Sequence, residues 1–228
     1  MTDLAHRVAD WLLLTLRPSE GPLRIALSGG LTPRAIYALL AEEPYRGLMP
    51  WDRMHIFWGD ERFVAPDDDL NNYRMAYSAL LGHVPIPPGN IHPFQTEDVT
   101  PEESARLYQA TLARVYGSTT LDPARPLFDV NLLGLGTNGH TASLFPGTPA
   151  LTEHDAWAVA VTPEGEPTRI TLTYPALNSS RHVAFLVAGT AKRDVLARVR
   201  AHDPAEPASF IAPVGQLHWF ADADAEGA

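Results

Sequence analysis

Cysteine is absent from this chain of 228 residues. Disulfides, thiolate nucleophiles, Cys-ligated zinc and iron–sulfur clusters are thereby excluded. Lysine is nearly absent as well: of 17 cationic residues, all are arginine except Lys192. Lysine is a compact point charge and arginine a rigid planar fork, so a lone lysine in an arginine-rich chain marks a position of interest. Positive charge is scarce overall, with 17 cations against 27 acidic residues and a net charge of −10. That balance argues against nucleic acid or an anionic membrane as partner. No apolar run approaches the ~20 residues needed to cross a bilayer. The opening MTDLAHRVADWLLLTLRPSE has neither a basic start nor a small-residue cleavage site, so no secretory leader is expected, and a cytoplasmic location is. Hydrophobic residues make up 45% of the chain, enough for a sizeable core.

Familiar signatures are missing too. The chain has no GxxxxGK[ST], no GxSxG and no HExxH, and its Ser28–Pro33 turn is not a GxGxxG loop. Asp67-Asp68-Asp69 begins like a calcium loop, but Asn72 stands where that loop needs glycine and Ser78 where it needs glutamate. No metal is expected.

What is present is an alternation of helical and strand patterns. Leu4, Val8, Trp11, Leu12 and Leu16 recur at helical spacing. RIALSGG (24–30) reads as a strand running into glycines, and LTPRAIYALLAEE as the next helix, with Thr32 as N-cap and Pro33 at its first position. MHIFWGDERFV (54–64) reads as one strand ending near Gly59-Asp60, followed by a helix around 73–81. Thr100-Pro101-Glu102-Glu103 has the form of a capping box and predicts a helix to about Val115. FDVNLLGLG (128–136) is mostly apolar, as in a strand buried on both faces. AWAVAV, RITLT, HVAFLVAG and QLHWFAD are further strands, TAKRDVLARVR is a helix, and ADADAEGA reads as a frayed acidic tail. Strands alternating with helices predict an α/β fold, with a Rossmann-like, mostly parallel sheet and helices on both faces, in a single domain over 1–228.

In such sheets ligands bind beyond the carboxyl ends of the strands. Four motifs fall there: Ser28-Gly29-Gly30-Leu31-Thr32-Pro33, Gly59-Asp60-Glu61-Arg62, Gly134 through His140, and Gly189 through Lys192. The first places bare N–H groups and two hydroxyls at a helix start, which suits an anion such as phosphate; a plain tight turn is the simpler reading. Lys192 and Arg169 supply a point charge and a fork, or are ordinary surface cations. His140 leaves a buried strand through a loop with three glycines; histidine is the commonest general base. Its plainer reading is a core histidine. Asp60 and Glu61 lie at a strand end beside Arg62, able to orient substrate or to anchor a loop.

Together these motifs, with NNYRMA (71–76), GHTASLFPG and RITLTYPALN, resemble the 6-phosphogluconolactonase family of the pentose phosphate pathway over about residues 23–220. That family sits in a wider group with glucosamine-6-phosphate deaminase. The resemblance implies hydrolysis of a sugar-phosphate lactone without a cofactor, with a water-activating His140 and the acidic Asp60 as catalytic residues. It implies Ser28, Gly29, Gly30 and Thr32 as a phosphate loop and Arg169 and Lys192 as cationic phosphate ligands. Arg62 corresponds to the arginine of the family's DER motif and is expected at the substrate. Family members often carry Asp where this chain has Asn138, which cannot ionise and is expected to hold the loop or His140. The deaminase branch follows its Gly-His with Asn-Glu-Pro, but residues 141–146 here hold no carboxylate, which favours lactone hydrolysis. A non-catalytic sensor would carry a DNA-binding helix-turn-helix, for which there is no room before Arg24. The expected partner is a small sugar-phosphate lactone, and the expected state a monomer. The rate is expected to fall below pH ~6.5, as His140 protonates.

Overall fold

The apolar runs of the sequence become a doubly wound sheet in the computed structural model, which describes residues 2–227. In chain order the elements are α1 (Thr2–Leu16), β1 (Leu23–Leu27), α2 (Leu31–Leu40), α3 (Tyr45–Leu48), β2 (Met54–Trp58), β3 (Asp60–Arg62) and α4 (Asn72–Ala76). There follow α5 (Pro101–Tyr116), β4 (Phe128–Gly134), β5 (Ala158–Val161), β6 (Arg169–Leu172), α6 (Tyr174–Asn178), β7 (Ser180–Val187), α7 (Arg193–Arg200), β8 (Gln216–Ala221) and α8 (Ala223–Glu226).

Five strands form one sheet in the order β2-β1-β4-β7-β8, and every pairing is parallel. Apart from β8 at one edge, the strands are mostly buried, as continuous apolar runs such as LRIAL and MHIFW require when helices cover both faces. The order reverses at β1, whose neighbours β2 and β4 lie on opposite sides; the connections diverge there and leave a crevice at the carboxyl ends. A second sheet, β3-β6-β5, is antiparallel throughout. One hydrophobic cluster takes in buried residues from both sheets, including Phe57, Phe128 and Phe185 from the first and Ile170 and Leu172 from the second.

Three local expectations are corrected. MHIFWGDERFV is two strands in different sheets: Gly59 N–H still donates to Leu27 of β1 at 2.9 Å, but Gly59 C=O accepts from Leu172 of β6 at 2.8 Å, and the chain changes partners there. The N-cap of α2 is Gly30 rather than Thr32; the paired glycines turn the chain early enough for the helix to begin at Leu31, and its first N–H groups receive no side-chain cap. The acidic tail is ordered as α8, because Asp222 accepts from Ala225 N–H at 2.9 Å and Glu226 forks onto Arg200 at 2.7 and 2.8 Å. Thr100 caps α5 as predicted, its hydroxyl accepting from Glu103 N–H at 3.2 Å, but the Glu103 carboxylate accepts from Arg106 rather than closing the box.

No helix among the described residues is long and apolar enough to cross a membrane.

Candidate active site

The crevice at the switch point is a cleft of about 200 Å³. Eight of the ten residues singled out from sequence line it: Ser28, Gly29, Gly30, Asp60, Arg62, His140, Arg169 and Lys192. Thr32 does not; it lies within the first turn of α2, beyond the turn that faces the cleft. Asn138 does not line it either, but it touches His140.

The β1 and β4 ends approach each other closely enough that a β-carbon on Gly134 would lie 3.6 Å from Ser28 Oγ. Behind this turn, Tyr37 fastens Ser28 at both backbone atoms, accepting from its N–H and donating to its C=O, each at 2.9 Å. The open N–H groups of α2 thus sit in a rigid frame.

His140 is placed by a short turn. Gly136 N–H donates to His140 C=O at 2.8 Å, and Gly139 N–H to Gly136 C=O at 3.1 Å. The imidazole lies over Gly136, where any β-carbon would come within 2.1 Å of Nδ1; only glycine admits the ring there. Nδ1 sits 2.5 Å from Asn138 Oδ1, so Nδ1–H donates to the amide and Nε2 is left as the acceptor. One ring face stacks on Phe145 with 4.1 Å between centroids, and the same phenyl ring carries the Arg169 guanidinium at 5.3 Å. Burial pushes the His140 pKa down to about 4; Asp60 opposes this, while Arg169 and Lys192 add to it. The imidazole is therefore neutral at pH 7. Ala142, also in the cleft wall, holds a left-handed φ of 47°, a strained value for a non-glycine residue.

The charged side chains come from the small sheet. Asp60 on β3 is buried and accepts the Ser143 hydroxyl at Oδ2, at 2.5 Å, with Arg169 Nη1 at 3.9 Å. Arg169 on β6 is buried as well, and its Nη2 donates to Glu166 at 2.6 Å. Lys192 is half-buried; its backbone N–H donates to Gly189 C=O at 3.0 Å, but its ammonium has no hydrogen bond or ion pair among the described residues, and burial lowers its pKa. An ammonium held without a partner beside open backbone N–H groups suits an anionic ligand.

The pair Asp60-Glu61 divides its tasks. Glu61 faces away and its carboxylate accepts from Arg62, Asn72 and Tyr73 N–H at 2.9, 2.7 and 2.9 Å. Burial nevertheless raises its pKa to about 7. It is the loop anchor of the motif. Asn72 was missed by the sequence reading as a site residue. It lines the cleft, accepts from Arg62 Nη1 at 2.7 Å and donates to Asp60 C=O at 3.0 Å, tying two walls together. Its only sequence signal was its place in NNYRMA. Among the described residues no cluster of three or more potential metal ligands exists.

The location of this cleft defines the class: an α/β protein that binds its ligand at the switch point of a doubly wound sheet. A family model described as glucosamine-6-phosphate isomerases/6-phosphogluconolactonase matches residues 1–219, and the chain belongs to that family. It is 46% identical over 210 residues to a 6-phosphogluconolactonase of Synechocystis, covering 90% of this chain and 84% of that protein. It is 43% identical to one of Nostoc, covering 98% of this chain and 93% of that one. The solved structure of 6-phosphogluconolactonase from Trypanosoma brucei superposes with a TM-score of 0.87 at 31% identity, covering 99% of this chain and 94% of that chain.

Proposed function

We propose that the chain is a lactone hydrolase of the oxidative pentose phosphate pathway, converting 6-phospho-D-glucono-1,5-lactone to 6-phosphogluconate with His140 as general base. The observation that carries this reading is one cleft bounded by a neutral, oriented imidazole and by the Ser28–Gly30 turn, Arg169 and Lys192. A phosphorylated sugar lactone needs both features at once: a dianion site to hold it and a base at the far end.

The phosphate docks on the open N–H groups of the Ser28–Gly30 turn and on Lys192. That anchorage fixes the lactone carbonyl near His140. His140 Nε2 takes a proton from water as the water oxygen bonds to C1. The carbonyl π electrons move to oxygen, and cleft donors stabilise the oxyanion. Collapse breaks the bond from C1 to the ring oxygen, which receives the proton back from His140. Asp60, held by the Ser143 hydroxyl and 3.9 Å from Arg169, favours the transient imidazolium by its negative charge. The 141–146 stretch offers the cleft no carboxylate for opening an amino-sugar ring; its Thr141 and Ser143 hydroxyls donate to Gly134 C=O and Asp60 instead.

The test is consumption of lactone generated fresh by glucose-6-phosphate oxidation, measured against spontaneous hydrolysis. Acceleration by the chain, without ammonia release from glucosamine 6-phosphate, is the expected result; a rate equal to the spontaneous one overturns the proposal.

A further inference from the structure

The turn that carries His140 is braced from behind by residues far outside the cleft. Gly139 has a φ of 76°, and a β-carbon there would fall 1.6 Å from Glu206 Oε2. The Glu206 carboxylate therefore lies flat against the Gly139 backbone. Glu206 is only 7% exposed, and its other oxygen accepts from Arg198 Nε at 2.5 Å. Two residues on, Ala208 N–H donates to Gly139 C=O at 2.9 Å. Between them, Pro207 C=O accepts the Tyr174 hydroxyl at 2.8 Å. Segment 206–208 is thus fixed to α7 through Arg198 and to α6 through Tyr174, and it holds the outer side of the turn whose inner side presents the imidazole.

A buried carboxylate without backbone donors is costly to keep, and a hydrophobic pair would serve packing alone at least as well. What an ion pair adds is a defined distance. Arg198 lies on α7, the helix that directly follows Lys192. The pair therefore sets the spacing between the helix that positions the ammonium and the turn that positions the base. We infer that Arg198 and Glu206 are positioning residues, forming a strut that holds His140 at its working distance from the anion site. This rests on the reading of His140 as the base.

Displacement of a reacting group by about 1 Å costs on the order of 10²-fold in rate. The strut makes no contact with the ligand cleft. Glu206→Ala is therefore expected to lower kcat by about 10- to 100-fold with KM changed less than about threefold. Glu206→Gln, which keeps the shape and one hydrogen bond to Arg198, is expected to restore most of that loss. Because Glu206→Ala removes a buried side chain, Arg198→Ala, at a half-exposed residue, is the parallel variant and is expected to act in the same direction.

A second readout needs no turnover. The His140 ring, followed by NMR through a pH titration, is expected to move from about 4 towards the ordinary 6.5 in Glu206→Ala, as the turn loosens and the ring meets water. Mere loss of a negative charge would shift it the other way. Folded variants with unchanged kcat and an unchanged His140 titration overturn the strut. So does a loss shared equally by kcat, KM and thermal stability, because that is the signature of damage to the fold alone. If the wild-type chain fails to hydrolyse the lactone, the functional reading falls while the titration still decides whether the strut holds the ring.

Discussion

The two sheets contribute to the cleft in different currencies. The parallel sheet delivers backbone and loops: the Ser28–Gly30 turn after β1, the Gly134–His140 turn after β4, and Lys192 after β7. The antiparallel sheet delivers side chains directly from its strands, Asp60 and Arg62 from β3 and Arg169 from β6. Loops at strand ends are free to shape N–H cradles and to aim an imidazole, whereas a strand fixes a charged group to within a pleat. The division teaches that the large sheet supplies the turns, the imidazole and the ammonium of the cleft, and the small sheet its carboxylate and guanidinium wall.

The sharpest way to break this division is to remove His140, the proposed base, which the large sheet supplies. His140→Ala is expected to lower kcat by about 10²–10⁴-fold with KM little changed; near-normal steady-state turnover would remove the base assignment. Next in size is the anion site. Lys192→Ala is expected to raise KM for the phosphorylated lactone by about 10- to 100-fold, the worth of one charge-assisted hydrogen bond, and to leave an unphosphorylated lactone unaffected. Equal effects on both substrates, compared in parallel assays, would take Lys192 away from the phosphate. The smallest effect is on pH. If His140 is the base, as proposed, neutral imidazole is the active form; burial depresses its pKa from 6.5 to about 4, so activity is expected to be lost only as pH falls through the depressed value. With unphosphorylated lactone, kcat/KM should stay level from pH 7 to about 5. A limb near 6.5, as an exposed histidine would give, would put the ring in water.

The same contrast explains what could be read from the sequence. The parallel strands announce themselves, because a strand buried on both faces must be a continuous apolar run and a glycine-rich exit from it needs a reason. Thus β1, β4 and β7 and the residues beyond them were visible. In the small sheet AWAVAV and RITLT read as strands, but β3 does not, and neither does their separate sheet: β3 has three residues and β6 four, and nothing in a short run tells whether it pairs parallel or antiparallel. By sequence, DER accordingly reads as the end of β2. Asn72 was hidden for another reason: its importance is a set of tertiary hydrogen bonds, to Arg62 and to Asp60, that no local pattern records. The same holds for Glu206, which sits far along the chain from Gly139. The departure at Asn138 was legible in chemistry but not in position: the amide orients His140 from just outside the cleft rather than lining it.

Phe145 stacks on the imidazole of His140 and also lies beneath the guanidinium of Arg169. A single phenyl ring is thus common property of the proposed base and of one of its charged neighbours. Any effort to redesign this pocket for a differently shaped lactone has to treat the three side chains as one joint, since trimming or enlarging the ring would shift both polar groups together.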